Sequence, residues 1–299
     1  MMLFLYKYSE NILSYLNTHV SRIMPPKKPT KIVVFDLDET IGYFTEISIF
    51  WDALEKYYGH NLFADQFFIV LDTFPEFFRP NILKIFAFLH SKKKSKVCSK
   101  LIIYTNNQGP KSWVKMISDY FDSRLGCKLF DHIIGAYKVN GKQIEPNRTS
   151  HEKSVTDLVS CVKIPANAEI CFIDDLYHPL MDKDNVFYIN IKPYRCSLTF
   201  EEMANRYYQQ VLKGKVNGNG NGKDKGDGDD DAEFVPFIVS YMKRYNYMVI
   251  TKSEEEENAD KIVSKRLLAH LEDFLKREKN VNTHRKRNKR VKTMRQSLK

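Results

Sequence analysis

Apolar residues in this chain gather in short runs separated by longer stretches of mixed character. Four runs, at 32–35, 101–104, 169–173 and 186–191, have the length and composition of buried strands. The stretches between them have helical character, so the pattern predicts βα units around a parallel sheet. Residues 81–89, with Ile82, Leu83, Ile85, Phe86, Phe88 and Leu89, suit a well-buried helix. Residues 110–121 suit another, with Pro110 in its first turn and Trp113, Met116, Ile117 and Tyr120 on one face. Asn140-Gly141 between Tyr137-Lys-Val and Gln143-Ile marks a hairpin. Thr199-x-x-Glu202 is a capping box opening a helix that runs to about Leu212. Ser253-x-x-Glu256 caps a second helix bearing Ile262, Leu267, Leu268, Leu271, Phe274 and Leu275.

The rest of the chain divides around this pattern. Residues 1–30 form an N-terminal extension whose Leu5, Ile12, Leu13 and Leu16 predict a loose amphipathic helix over 3–20. Its opening apolar run is too short for a signal peptide or a membrane span. Met24, just ahead of the first strand, offers an alternative translation start. Residues 31–212 hold the βα pattern, and 43–78 within them are aromatic and partly helical. Residues 213–232 read as a flexible Gly/Asn/Asp linker, since 214–231 hold six of the chain's 12 glycines. A calcium loop is rejected there because no glutamate falls at the closing position. Residues 233–275 read as a C-terminal helical segment, the apolar part of which packs back on the main domain.

Charge changes the picture only at the end of the chain. Of 299 residues, 47 are Lys or Arg and 37 are Asp or Glu, a net charge of +10. The stretch 276–299 holds 11 of those bases and one of the acids, so the body is neutral and the tail carries the excess. The tail suits nucleic-acid binding or nuclear import; a tail that only solubilises is the alternative. The five cysteines, with no Cys-x-x-Cys spacing, argue against a disulfide framework or a zinc site. They favour a reducing intracellular compartment, cytoplasmic or nuclear.

Candidate chemistry sits at the ends of the apolar runs. Lys31-Ile-Val-Val-Phe-Asp36-Leu-Asp38-Glu-Thr40 delivers two carboxylates to the carboxyl edge of a sheet, where open α/β folds bind ligands. One could attack phosphorus, the other could move a proton, and together they could hold Mg²⁺. The second run ends in Thr105-Asn106-Asn-Gln-Gly109, a hydroxyl and amides ahead of a helix N-terminus, which suits a phosphate. Lys153 stands ahead of the third run, where its ammonium could stabilise phosphoryl charge. That run closes on Asp174-Asp175, acids costly to bury unless they meet a cation. Asp36, Asp38, Asp174 and Asp175 would make an all-oxygen site suited to Mg²⁺.

In this order the pieces, over residues 31–195, resemble the haloacid dehalogenase superfamily of phosphohydrolases. The run Asp36-Leu-Asp38-Glu-Thr40, with Arg79-Pro80 before a helix, looks most like the branch containing the C-terminal-domain phosphatases. The resemblance implies a Rossmann-like α/β fold, a doubly wound parallel sheet, with a small cap inserted after the first strand at 43–78. It implies that Asp36 attacks phosphorus and that Asp38 protonates the leaving oxygen and later activates water. Thr105, Asn106 and Lys153 would hold the phosphoryl oxygens. Mg²⁺ would be held by the Asp36 carboxylate, the Asp38 carbonyl and one or both of Asp174 and Asp175. The expected activity is Mg²⁺-dependent phosphomonoester hydrolysis of a phosphorylated protein, nucleic acid or small molecule. Thr105-Asn-Asn-Gln-Gly resembles a loop of nucleic-acid 3′-phosphatases in the same superfamily, which makes an end phosphatase the competing reading. A catalytically inactive phospho-ligand scaffold is a third. The aromatics of 43–78 are expected to pack rather than to stack on a ligand, and His178 to act structurally.

Overall fold

The computed structural model describes residues 29–213, 230–246 and 249–277. The amphipathic helix expected over 3–20, the glycine-rich stretch 214–229 and the basic tail from 278 lie outside these residues. Five strands form one sheet: β1 (Lys31–Phe35), β2 (Lys100–Tyr104), β3 (His132–Ile134), β6 (Glu169–Asp174) and β7 (Val186–Asn190). A separate hairpin pairs β4 (Lys138–Val139) with β5 (Lys142–Gln143). Asn140 and Gly141 link them with φ of 49° and 78°, the doubly left-handed turn that this dipeptide favours.

The sheet runs β3-β2-β1-β6-β7 and every pairing is parallel. The chain therefore builds outward from β1 in one direction and then crosses to the other side. Alternate residues of the central strands face opposite layers. Val33, Phe35, Leu101, Ile103, Cys171 and Ile173 enter the larger core. Ile32, Val34, Ile102, Tyr104, Ile170 and Phe172 enter the smaller one. Burial on both faces explains why these strands read as continuous apolar runs. Helices on both faces of a parallel sheet make an arrangement compatible with a Rossmann-like fold.

The larger layer holds α1 (Thr45–Tyr58), α2 (Ala64–Thr73), α3 (Ile82–Lys94) and α4 (Lys111–Leu125). It also holds α6 (Phe200–Tyr207, extended by a π turn at Tyr208–Leu212), α7 (Asp230–Met242) and α8 (Glu254–Lys276). The smaller face is covered by α5 (Val155–Val162), through Leu158 and Val162. No helix among the described residues is long and apolar enough to cross a membrane. Aromatic residues fill the larger layer by edge-on contacts. Phe86 meets Phe35, Phe121 and Phe130 at 5.4, 4.8 and 5.3 Å, and Phe67 meets Trp51 and Trp113 at 5.1 and 5.0 Å.

Three expectations need correction. The segment 43–78 is built into the main core rather than free-standing, while its Thr45, Ser48 and Trp51 line a groove beside Asp38. Phe44, Phe50, Trp51, Phe67 and Phe74 are buried and belong to the same core as Phe35. The C-terminal helical segment begins ahead of the expected residue 233, because α7 starts at Asp230. Ile262 is 46% exposed and Val263 takes its place in the core, while Leu267, Leu271, Phe274 and Leu275 lie on the buried face as expected. Strand β3 had no sequence signal: it has three residues, and His132 is exposed.

Candidate active site

Three strand ends converge at the carboxyl edge of the sheet. Asp36 follows β1, Thr105 follows β2 and Asp174 ends β6. Asp36 is fixed by its N–H, which donates to the Ile173 carbonyl at 2.9 Å. Its buried carboxylate accepts from Lys153 Nζ at 2.5 Å, and the same ammonium donates to Asp174 Oδ2 at 2.7 Å. Lys153 lies just before the Ser154 cap of α5, whose hydroxyl accepts from Asp157 N–H. A buried ammonium thus bridges two buried carboxylates from different strands.

Asp175 joins this group through the turn after β1. Thr40 Oγ1 accepts from the Asp175 N–H at 3.1 Å and lies 3.3 Å from Asp175 Oδ1. Oxygens of Asp36, Asp174 and Asp175, all buried, lie within 4.8 Å of one another. Such a hard oxygen set fits a divalent cation. The Asp38 side chain stands outside the cluster, and its Oδ2 accepts from Asn107 Nδ2 at 2.8 Å.

The electrostatics follow from burial. Desolvation pushes the Asp36 carboxyl up to about 7 despite Lys153, with Asp174 adding repulsion. Burial and the charge of Asp174 raise Asp175 to about 6. Burial also raises Asp38, against the Asn107 hydrogen bond that lowers it. Burial would raise Asp174 too, but His178 and Lys153 outweigh it and hold this carboxyl below its usual range. The Lys153 ammonium is held charged by Asp36 and Asp174 against its own desolvation. His178 is more basic than usual: Asp174 and Glu152 overcome the effect of burial. Its Nδ1 meets Glu152 Oε1 at 2.8 Å and its Nε2 lies 3.4 Å from Asp174 Oδ2.

In the loop after β2 the two neighbouring asparagines have different partners. Asn106 Nδ2 donates to the His151 carbonyl at 3.0 Å, so its amide ties two loops together. Asn107 is the amide that faces the candidate chemistry. Its Oδ1 accepts from the Gly109 N–H while its Nδ2 reaches Asp38, which fixes the orientation of the side chain. Thr105 is buried, and its Oγ1 accepts from the Asn107 N–H at 3.0 Å.

Two arginines with no role assigned from sequence hold the site by gripping backbone carbonyls. Arg79 donates from Nε to the Thr40 carbonyl at 2.5 Å and from Nη2 to those of Glu39 and Lys192 at 2.6 and 2.8 Å. Glu39 has φ of 57°, an uncommon conformation for a non-glycine, and the Arg79 and Tyr194 N–H contacts to its carbonyl secure it. At Gly42 a Cβ would meet the Phe44 ring and the Phe77 carbonyl at 2.7 Å, so the turn admits only glycine. Arg148 donates to the carbonyls of Thr105, Gly135 and His151 and covers the Tyr104 ring at 4.9 Å. Only a lone Arg beside each motif signalled these residues, because their partners are main-chain atoms distant in sequence.

No protein-family model, curated protein or solved structure matches this chain.

Proposed function

We propose that the chain is a Mg²⁺-dependent phosphomonoester hydrolase of haloacid-dehalogenase type, working through an aspartyl-phosphate on Asp36. The observation that carries this reading is the bridge of Lys153 between Asp36 and Asp174 at 2.5 and 2.7 Å, beside Asp38. Asp36 has the features of a nucleophile: a strand end, a fixed backbone and a neighbouring cation that favours its ionised form. The Lys153 ammonium would also meet the phosphoryl oxygens and the charge that grows on them during transfer. Thr105 would add a hydroxyl to that set.

Asp38 suits the acid/base role. Burial raises its pKa, so it can carry a proton to the leaving oxygen, and Asn107 holds it in one orientation. The resulting Asp38 carboxylate would then take a proton from the water that attacks the aspartyl-phosphate. Asp36, Asp174 and Asp175 would hold Mg²⁺, which when bound supplies positive charge against the phosphoryl group. Thr40 orients Asp175, and Arg79 holds the Thr40 carbonyl.

The test is hydrolysis of p-nitrophenyl phosphate by the full chain with Mg²⁺ and with a chelator. The reading expects turnover that needs the cation and falls at least about a thousandfold in Asp36→Asn. Turnover retained in Asp36→Asn, or none in the unaltered chain, overturns it.

A further inference from the structure

A groove of about 620 Å³ opens beside Asp38 and Asn107 and runs between α1 and α4. Its volume lies in the range of ligand sites, and the groove is open to solvent along one side. Apolar walls come from Phe44, Trp51, Leu62, Trp113 and Met116. Thr45, Ser48, Asp52 and Glu55 of α1 line it at spacings of three, four and three residues, a stripe along one helix face. At about 1.5 Å per residue, Asp52 lies about 10 Å and Glu55 about 15 Å along the helix from Thr45.

Among the described side chains that line the groove, the ionisable ones are Asp38, Asp52 and Glu55, with no Lys, Arg or His. Both distal carboxylates are fixed by neutral donors. Asp52 Oδ2 accepts from the Tyr241 and Tyr245 hydroxyls at 2.5 and 2.8 Å, and Glu55 Oε1 accepts from the Leu62 N–H at 3.1 Å. Hydrogen bonds of this kind hold a carboxylate in place and leave its negative charge for a ligand. The tyrosines come from α7 and the turn after it, so the C-terminal segment holds Asp52 in place from behind the groove.

We propose that this groove receives the alcohol side of the phosphomonoester, and that its preferred occupant is a peptide with Lys or Arg near the phosphorylated residue. The proposal rests on the phosphatase reading, since it takes Asp38 as the point where the leaving oxygen sits. Aromatic walls suit the side chains and stems of such a peptide, and the fixed carboxylates suit its cations. An extended chain covers about 3.3 Å per residue, so a basic residue roughly three to five positions from a phosphoresidue seated beside Thr45 would reach Asp52 and Glu55. An oligonucleotide would bring further phosphates against the Asp52 and Glu55 carboxylates, a repulsion that selects against it.

The experiment compares kcat/KM of the full chain on three phosphoserine peptides of one length, with two arginines, two alanines or two glutamates at those positions. A 3′-phosphorylated oligonucleotide is the fourth substrate. The expected result is a preference for the arginine over the glutamate peptide of about tenfold or more, with the oligonucleotide poorest. In Asp52→Asn/Glu55→Gln that ratio should fall close to one; taking it within each variant cancels any shared change in the chemical step. A ratio near one in the unaltered chain, or an oligonucleotide preferred over every peptide, overturns the proposal while leaving the phosphatase reading intact.

A binding arm separates the two claims further. Fluorescence polarisation of the labelled arginine and glutamate peptides on Asp36→Asn, with and without Asp52→Asn/Glu55→Gln, reads the groove without turnover. If no substrate is hydrolysed, the phosphatase reading fails, and the groove stands or falls on whether this arm shows the same preference and its loss.

Discussion

Lys153 is the residue on which the site balances. Its ammonium is buried, and removal would leave Asp36 and Asp174 facing each other without a counter-charge. Breaking a buried ion pair in this way costs about 3–5 kcal/mol. Lys153→Met should lower stability by that amount in urea denaturation with a chelator present, and Mg²⁺ should restore more stability to the variant than to the unaltered chain. Protonation obeys the same balance. Asp36 at about 7 and Asp175 at about 6 are raised from an unfolded value of 3.8, so the folded chain binds more protons than the unfolded one between those pH values. Their contribution to stability is therefore lost as pH rises through 6 and 7, while cation binding needs the ionised forms. Thermal melts from pH 5 to 8 should show a cation-induced shift that grows with pH; a shift independent of pH contradicts the assignment. Asp36, Asp38, Lys153 and the Asp174/Asp175 pair were legible in the sequence because each follows or precedes an apolar run. Asn107 was not distinguishable from Asn106, since which amide turns toward Asp38 is decided by the loop conformation. Arg79 and Arg148 were opaque for a different reason: a side chain that binds backbone carbonyls leaves no complementary residue to find.

Among the elements, the end of α8 is tied to β1 by one lysine. Lys31 opens β1, and its Nζ donates to the carbonyls of Phe274, Leu275 and Arg277 at 2.6, 3.1 and 2.5 Å. These are the free carbonyls of a helix end, where a cation is favoured by both hydrogen bonding and the helix dipole. Phe274 stacks on Phe187 of β7 at 5.8 Å to complete the junction. Lys31→Met should cost about 1–3 kcal/mol and speed amide exchange in the last turns of α8 before the rest of the fold. Unchanged exchange there would show that packing alone seats the helix. The central strands were readable because burial on both faces demands unbroken apolar runs. Strand β3 escaped because an edge strand of three residues makes no such demand. The capping boxes announced both helix starts, and Ser253 with Glu256 closes the full reciprocal pair. How the aromatic segment 43–78 would fold was hidden, since its Phe and Trp residues pack on partners from α4, α6 and α7.

At the scale of the molecule, β1 connects two opposite ends. Lys31 and the end of α8 lie at the amino edge of the sheet and Asp36 at the carboxyl edge, five residues or about 16 Å apart along the strand. Arg277, the last described residue, therefore lies at the edge opposite the candidate site, which sits in the neutral body. Ending the chain after Arg277 should leave hydrolysis of a small aryl phosphate within about twofold, since no described contact of the site is lost. If the tail binds nucleic acid, the same truncation should remove a steeply salt-dependent affinity for oligonucleotides.

The central claim is that Asp36 carries the phosphoryl group, and trapping that group tests it most directly. Asp38→Asn should slow the water step while an aryl phosphate, whose leaving group needs little protonation, still loads the enzyme. Acid quench of this variant during turnover with an aryl phosphate, followed by reduction with tritiated borohydride, releases the phosphate and turns the phosphorylated aspartate into labelled homoserine, which peptide mapping locates. The account predicts one labelled homoserine per chain, at position 36, absent in Asp36→Asn. Turnover by the unaltered chain with no covalent phosphoryl group in either protein, or a label on another residue, contradicts it.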